Sequence, residues 1–286
     1  MILLVRNIEE LQSLIQKNKD KNRSVGFVPT MGALHRGHIT LARKAVKENK
    51  FTIVSIFVNP TQFNDPKDLE RYPQTLDDDL LKLMPTKVDV VFFPPVSEIY
   101  PTGLAPKTSL DLGGLDQVME GAFRPGHFEG VAQVVKRLLD IVQPDKLYMG
   151  QKDFQQFTII GHLIRSLDIP TKLVVCPIIR EPNGLAMSSR NERLSPEVRK
   201  KAGIIYRILK TIKKGFELKT IEELEQFAIK KLAKPPFEPE YFSIVDGYTL
   251  LPVSDKSSAD YIVACTAVWV EGVRIIDNII LKGASN

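Results

Sequence analysis

Cysteine is nearly missing from this 286-residue chain, with Cys176 and Cys265 the only two. Two thiols so far apart cannot build a disulfide framework, so a reducing, cytoplasmic compartment is expected. Histidine is scarce as well. Of four, only His35 and His38 are neighbours, and with no C-x-x-C or H-E-x-x-H pattern nearby a zinc site lacks its ligands. Long apolar runs are lacking too: Met1-Ile2-Leu3-Leu4-Val5 stops at Arg6, too short for a signal peptide, and residues 51–58 and 261–270 have the length of buried strands. No membrane partner is therefore expected. Nor is there a block of like charge. Lys plus Arg total 39 against 34 Asp plus Glu, a formal net charge of +5, but the signs are interspersed, and the densest run, 17–23, alternates with Asn and Asp as a solvated turn does. That dispersal argues against nucleic acid as a partner, while the mild excess suits small anionic substrates. Repeats and low-complexity segments are absent as well.

What is present is a large apolar complement, 43% of residues, enough for a sizeable core and two domains, expected at 1–180 and 181–286. Strand patterns at 3–6, 25–28, 51–58, 88–93, 146–149 and 172–176 alternate with helix patterns from Ile8, from His38, and at 76–83, 128–142 and 154–167. Such alternation predicts an α/β fold with a mainly parallel sheet covered by helices; strand order cannot be read from it. The stretch 94–125, rich in Pro and Gly, is expected to be irregular, with an extended piece around 109–112, and to serve as a flap. Beyond Arg180 the texture changes. Ser195-Pro196 and Thr220 with Glu223 mark the starts of a helix pair closed by Pro235-Pro236. Strand patterns follow at 241–245, 261–269 and 274–280, giving a smaller α+β domain.

The chemistry concentrates where strands end. Pro29-Thr30-Met31-Gly32-Ala33-Leu34-His35-Arg36-Gly37-His38 links a strand to a helix start, where unpaired N–H groups and the dipole attract anions. Its glycines allow close approach to a ligand, and His35 and His38 can both donate to phosphate oxygens; alternatively, both histidines satisfy local backbone only. Asn59-Pro60-Thr61-Gln62-Phe63, Gly150-Gln151-Lys152-Asp153-Phe154-Gln155-Gln156 and Met187-Ser188-Ser189-Arg190-Asn191 also follow strands. Lys152 is a point charge and Arg190 a planar fork, both suited to polyphosphate, although each also fits a surface residue. Gln62 and Gln156 are neutral amides able to hold a carboxylate and a hydroxyl, or simply helix caps. Asp78, after Thr75, reads either as a capping-box acid or as a Mg²⁺ ligand.

These blocks, with Ser55-Ile56-Phe57-Val58 and Tyr72-Pro73 between them, closely resemble the pantothenate synthetase family over nearly the whole chain. Their first block is the H-x-G-H signature of the wider nucleotidyltransferase superfamily. The resemblance implies a Rossmann-like domain with a smaller carboxyl-terminal lid, a homodimer, and Mg²⁺-ATP as cosubstrate. It also implies a reaction in which pantoate attacks ATP, and β-alanine then attacks the bound pantoyl adenylate. By position, Met31 to His38, Gly150 to Asp153, Ile179 and Met187 to Arg190 match the family's ATP-contacting segments. His38 falls in its proton-donor position, and His35, Lys152, Ser188, Ser189 and Arg190 join it as catalytic candidates. Gln62 and Gln156, with Asn59, match the substrate-binding amides, and Asp78 and Asp79 the approach to the metal. Gln151, Lys82 and Thr61 depart from the family's usual residues.

Overall fold

The computed structural model describes residues 2–63, 66–103 and 110–283. Along the first part run β1 (Leu3–Val5), α1 (Ile8–Lys19), β2 (Val25–Thr30), α2 (Arg36–Glu48), β3 (Phe51–Ile56), α3 (Pro66–Glu70), α4 (Leu76–Leu83) and β4 (Val90–Phe92). Then come α5 (Val96–Ile99), α6 (Met119–Phe123), α7 (His127–Val142), β5 (Lys146–Gly150), α8 (Phe154–Ser166) and β6 (Lys172–Cys176). The last part holds α9 (Pro196–Lys201), α10 (Ile204–Gly215), α11 (Ile221–Leu232), β7 (Glu238–Asp246), β8 (Ile262–Val270) and β9 (Val273–Lys282).

The first six strands form one parallel sheet in the order β1-β4-β3-β2-β5-β6. From β2 the chain winds outward through β3 and β4, whereas from β5 it winds the other way to β6. Adjacent β2 and β5 therefore carry their following loops to opposite faces, which opens a crevice at their carboxyl ends. Near-continuous burial along β3 shows why its sequence is apolar without alternation: helices cover both faces.

The last three strands form a separate antiparallel sheet, β7-β8-β9. Ile262 and Ala264 of β8 pack among side chains of α10 and α11, while Val263 and Cys265 belong to the apolar cluster of the parallel sheet. Alternate residues of one strand thus serve two cores.

Two sequence expectations need adjustment. Among the described residues three helices, not a pair, follow Arg180: the chain is interrupted between α9 and α10 at Gly203, where an added Cβ would sit 2.2 Å from the Asn183 carbonyl oxygen. The expected extended piece near 109–112 forms no strand at 110–112, and Ser109 lies outside the described residues.

Candidate active site

The crevice between the ends of β2 and β5 is walled by the segments the sequence singled out. Met31, His35, Gly37 and His38 enter it from the β2 side, and Gly150, Lys152, Asp153 and Gln156 from the β5 side. Ile179 and Met187 come together because Met187 N–H donates to the Ile179 carbonyl at 2.9 Å, beside a bridge between Arg180 and Ala186. That hairpin delivers Ser188, Ser189 and Arg190 to the same cleft. Gly32, Ala33, Leu34, Arg36 and Gln151 do not line it; Leu34 is core, and Arg36 is exposed.

The turn after β2 is held from behind. Gly32 and Ala33 both adopt positive φ, 81° and 47°, and the fully buried Asp79 accepts from Leu34 N–H at 2.7 Å. Burial pushes the Asp79 carboxyl up, while the Leu34 N–H and Lys82 pull it back. Asp79 therefore works on the backbone of the turn. Asp78 is exposed, in a groove that meets the cleft at Met31, and Thr75 makes no side-chain cap bond, so the capping-box reading of Asp78 is not realised. Among the described residues no group of three His, Cys, Asp or Glu is placed to hold a metal ion.

Both histidines spend Nδ1 on the start of α2. His35 Nδ1 accepts from Gly37 N–H at 3.1 Å, and His38 Nδ1 accepts from His35 N–H at 3.4 Å, a capping box made of two imidazoles. Their rings stack at 4.0 Å. Since Nδ1 is an acceptor in each, the proton of the neutral ring resides on Nε2. Burial, and then the Lys152 charge, lower His35 to about 4; burial, His35 and Lys152 hold His38 well below the ordinary range. At neutral pH these are uncharged donors.

Stability should report this. A histidine whose basicity falls on folding contributes in full above pH 6.5, and its contribution is lost as pH drops toward 4, because only the unfolded chain takes up the proton there. In His35→Asn, which keeps an acceptor at the cap, the decline of urea-unfolding stability from pH 6.5 to 4 should be shallower by up to one proton. An unaltered slope would contradict the neutral ring.

Gln62 is built in from below. Its Oε1 accepts from Asn59 Nδ2 at 3.3 Å and its Nε2 donates to the Met31 sulfur at 3.0 Å. Sulfur is a weak acceptor, so a substrate oxygen would readily replace it. Asn59, 1% exposed, is wholly engaged: Nδ2 also donates to the Gly130 carbonyl, and Oδ1 accepts from Thr61 N–H, the Thr61 hydroxyl and the Tyr100 hydroxyl. It acts as a support for Gln62.

Sequence reasoning passed over Arg124 and His127, which line the cleft. His127 Nδ1 lies 2.7 Å from the Gln62 carbonyl, which can only accept, so Nδ1 carries the proton and Nε2 accepts from Arg124 Nη1 at 3.1 Å. Burial and the Arg124 charge hold His127 at about 3, consistent with that neutral tautomer. The signal was there: Gly126-His127 stands at the start of α7, and Gly37-His38 lies in the first turn of α2. Asp68 was also missed; it pairs with Arg190 at 3.0 Å and Arg193 at 3.3 Å, tying α3 to the turn that carries Arg190.

Comparison with known proteins bears directly on this arrangement. Residues 3–280 match the family model described as pantoate-beta-alanine ligase. The chain belongs to that family. It is 50% identical over 281 residues to a pantothenate synthetase of Azobacteroides pseudotrichonymphae, an alignment covering 96% of this chain and 99% of the relative. It is 45% identical to the Bacteroides thetaiotaomicron pantothenate synthetase, covering 98% and 99%. Among solved structures, the Thermus thermophilus pantothenate synthetase superimposes with a TM-score of 0.91 at 41% identity, covering 98% of this chain and 100% of that one. The Francisella tularensis pantoate-beta-alanine ligase, complexed with beta-gamma ATP and beta-alanine, superimposes with a TM-score of 0.81 at 37% identity, covering 98% of both chains. Family membership thus spans both sheets, from β1 into β9.

Proposed function

We propose that this protein condenses pantoate with β-alanine at the expense of ATP, in two steps. First, a pantoate carboxylate oxygen attacks the α-phosphorus, and the bond to the departing pyrophosphate breaks. Then the β-alanine amine attacks the acyl carbon of pantoyl adenylate, giving pantothenate and AMP. The observation that carries this reading, within the family, is that cations, neutral imidazoles and neutral amides meet in one crevice.

Lys152 and Arg190 balance the charge that develops on pyrophosphate, with His35, His38, Ser188 and Ser189 as neutral donors to phosphate oxygens. Here His38 acts through Nε2–H as a hydrogen-bond donor. Gln62, supported by Asn59, and Gln156 orient pantoate without neutralising its carboxylate as a lysine would. No covalent enzyme intermediate is required.

Mg²⁺ belongs to the proposal as an ion bound chiefly by phosphate oxygens and water, with one or two carboxylates. Asp79 is fully buried with Oδ1 held by Leu34 N–H, so the exposed Asp78 is the carboxylate better able to offer it an oxygen. Bound there, the ion would spread pyrophosphate charge. The segment 181–286 is assigned as a lid that keeps water off the adenylate. Two buried free thiols suit a cytoplasmic location, and among the described residues no helix is long and apolar enough to cross a membrane. A homodimer completes the proposal; a single 32.2 kDa species in sedimentation would remove it.

Omitting each of ATP, Mg²⁺, pantoate and β-alanine in turn tests the reading. Pantoate alone should support exchange of pyrophosphate into ATP, and free AMP should require β-alanine as well. A product that retains the nucleotide would instead mark a plain nucleotidyltransferase.

A further inference from the structure

Asn278 is a buried polar group that the mechanism leaves without a task. Asn278, on β9 and 2% exposed, directs its whole side-chain amide at the loop after β5. Its Nδ2 donates to the Gln151 carbonyl at 2.9 Å and to the Lys152 carbonyl at 3.0 Å, and its Oδ1 accepts from Gln151 Nε2 at 3.1 Å. Those two carbonyls belong to the peptide planes on either side of the Lys152 Cα. One amide therefore fixes both planes, and with them the direction in which the Lys152 side chain leaves the backbone. The strand is itself anchored. Asp277, 3% exposed, takes a two-pronged bond from Arg180 at 2.6 and 3.0 Å, and the Arg180 guanidinium lies 3.6 Å over the Tyr206 ring. Arg180 itself pairs with Ala186 in the hairpin that delivers Met187 to Arg190.

We propose that Asn278 is a positioning residue for Lys152, and that β9 thereby sets the spacing of the two cationic loops that face the triphosphate. The proposal deepens the ligase reading and rests on it. Neither side chain of the pair Asp277-Asn278 touches substrate; both act through loops that do. A strand at the far end of the chain would in this way govern adenylation, the first step, more than affinity for β-alanine.

A double-mutant cycle with Lys152→Ala tests it, read as pantoate-dependent exchange of pyrophosphate into ATP. Asn278→Ala should lower kcat for exchange about tenfold or more, with KM for β-alanine in the full reaction changing less than about threefold. In the Lys152→Ala background the same substitution should cost less than about threefold, because the group it positions is gone. Asn278→Asp, which keeps the shape but sets an anion against two carbonyls, should behave like alanine. Equal losses in both backgrounds would overturn the proposal, as would unchanged exchange in Asn278→Asp. A structural check keeps it separate from the ligase reading: amide hydrogen exchange in the segment 150–153 should quicken in Asn278→Asp while α1 stays protected. Protection unchanged in that loop sinks the positioning role, whereas absence of exchange activity in the unsubstituted chain sinks the ligase reading alone.

Discussion

Lys152→Ala should slow pantoate-dependent exchange of pyrophosphate into ATP by about a hundredfold or more, the scale on which transition-state donors are lost. The side chain is 19% exposed, and its charge reaches His35 and His38 strongly enough to lower both. Pyrophosphate develops its charge as the bond to the α-phosphorus breaks, so the loss should fall on kcat rather than on KM for ATP. Lys152→Arg should rescue little, since a planar fork does not occupy the place of a compact ammonium. His38→Ala should fall to a similar level. An independent sign accompanies the kinetics: with the ammonium gone, His35 followed by NMR should titrate above its value in the unsubstituted protein. Exchange at the original rate in Lys152→Ala would refute the role.

Gly130→Val should be costly by a different route. Gly130 lies on α7 where that helix meets the tight turn Pro60–Gln62, and an added Cβ would sit 2.4 Å from the Thr61 carbonyl oxygen and 2.9 Å from Gln62 nitrogen. Backbone on both sides cannot yield as a flexible side chain would. The substitution must part α7 from the turn, and with it the bond from Asn59 Nδ2 to the Gly130 carbonyl, 3.1 Å long. Overpacking of this kind costs about 1–3 kcal/mol, before counting the support lost by Gln62. Urea unfolding should show the destabilisation, and KM for pantoate should rise well ahead of KM for ATP. A variant with unaltered KM for pantoate would show that Gln62 does not depend on this packing.

The sequence made the Met31–His38 turn legible because its signals are local: an apolar strand, glycines, and histidines at a helix start. Most strands and helices were legible for the same reason. The order of the strands was not, since periodicity records which residues are buried and says nothing of which strand lies beside which. Adjacent like residues were equally opaque. Asp77, Asp78 and Asp79 differ only by rotation around α4, and it takes the packed structure to send Asp79 inward to Leu34 and leave Asp78 outside. Gln155 and Gln156 divide likewise: Gln155 Nε2 binds the Leu115 and Val118 carbonyls, while Gln156 faces the cleft. Arg124 and His127 sit beside a Pro-Gly stretch whose irregular texture concealed that its polar side chains turn inward.

The divided allegiance of β8 limits how this molecule can breathe. Swinging the carboxyl-terminal sheet away as a rigid plate would strip Val263 and Cys265 out of one apolar cluster while Ile262 and Ala264 held the other, wetting side chains worth about 1.5–3 kcal/mol each for the larger ones. Movement that admits substrate is therefore cheaper at the periphery, where the turn bearing Arg190 is fastened to α3 through the part-exposed Asp68. On this reading the seam is a fixed spine, and the lid assigned to 181–286 closes through the turn bearing Arg190.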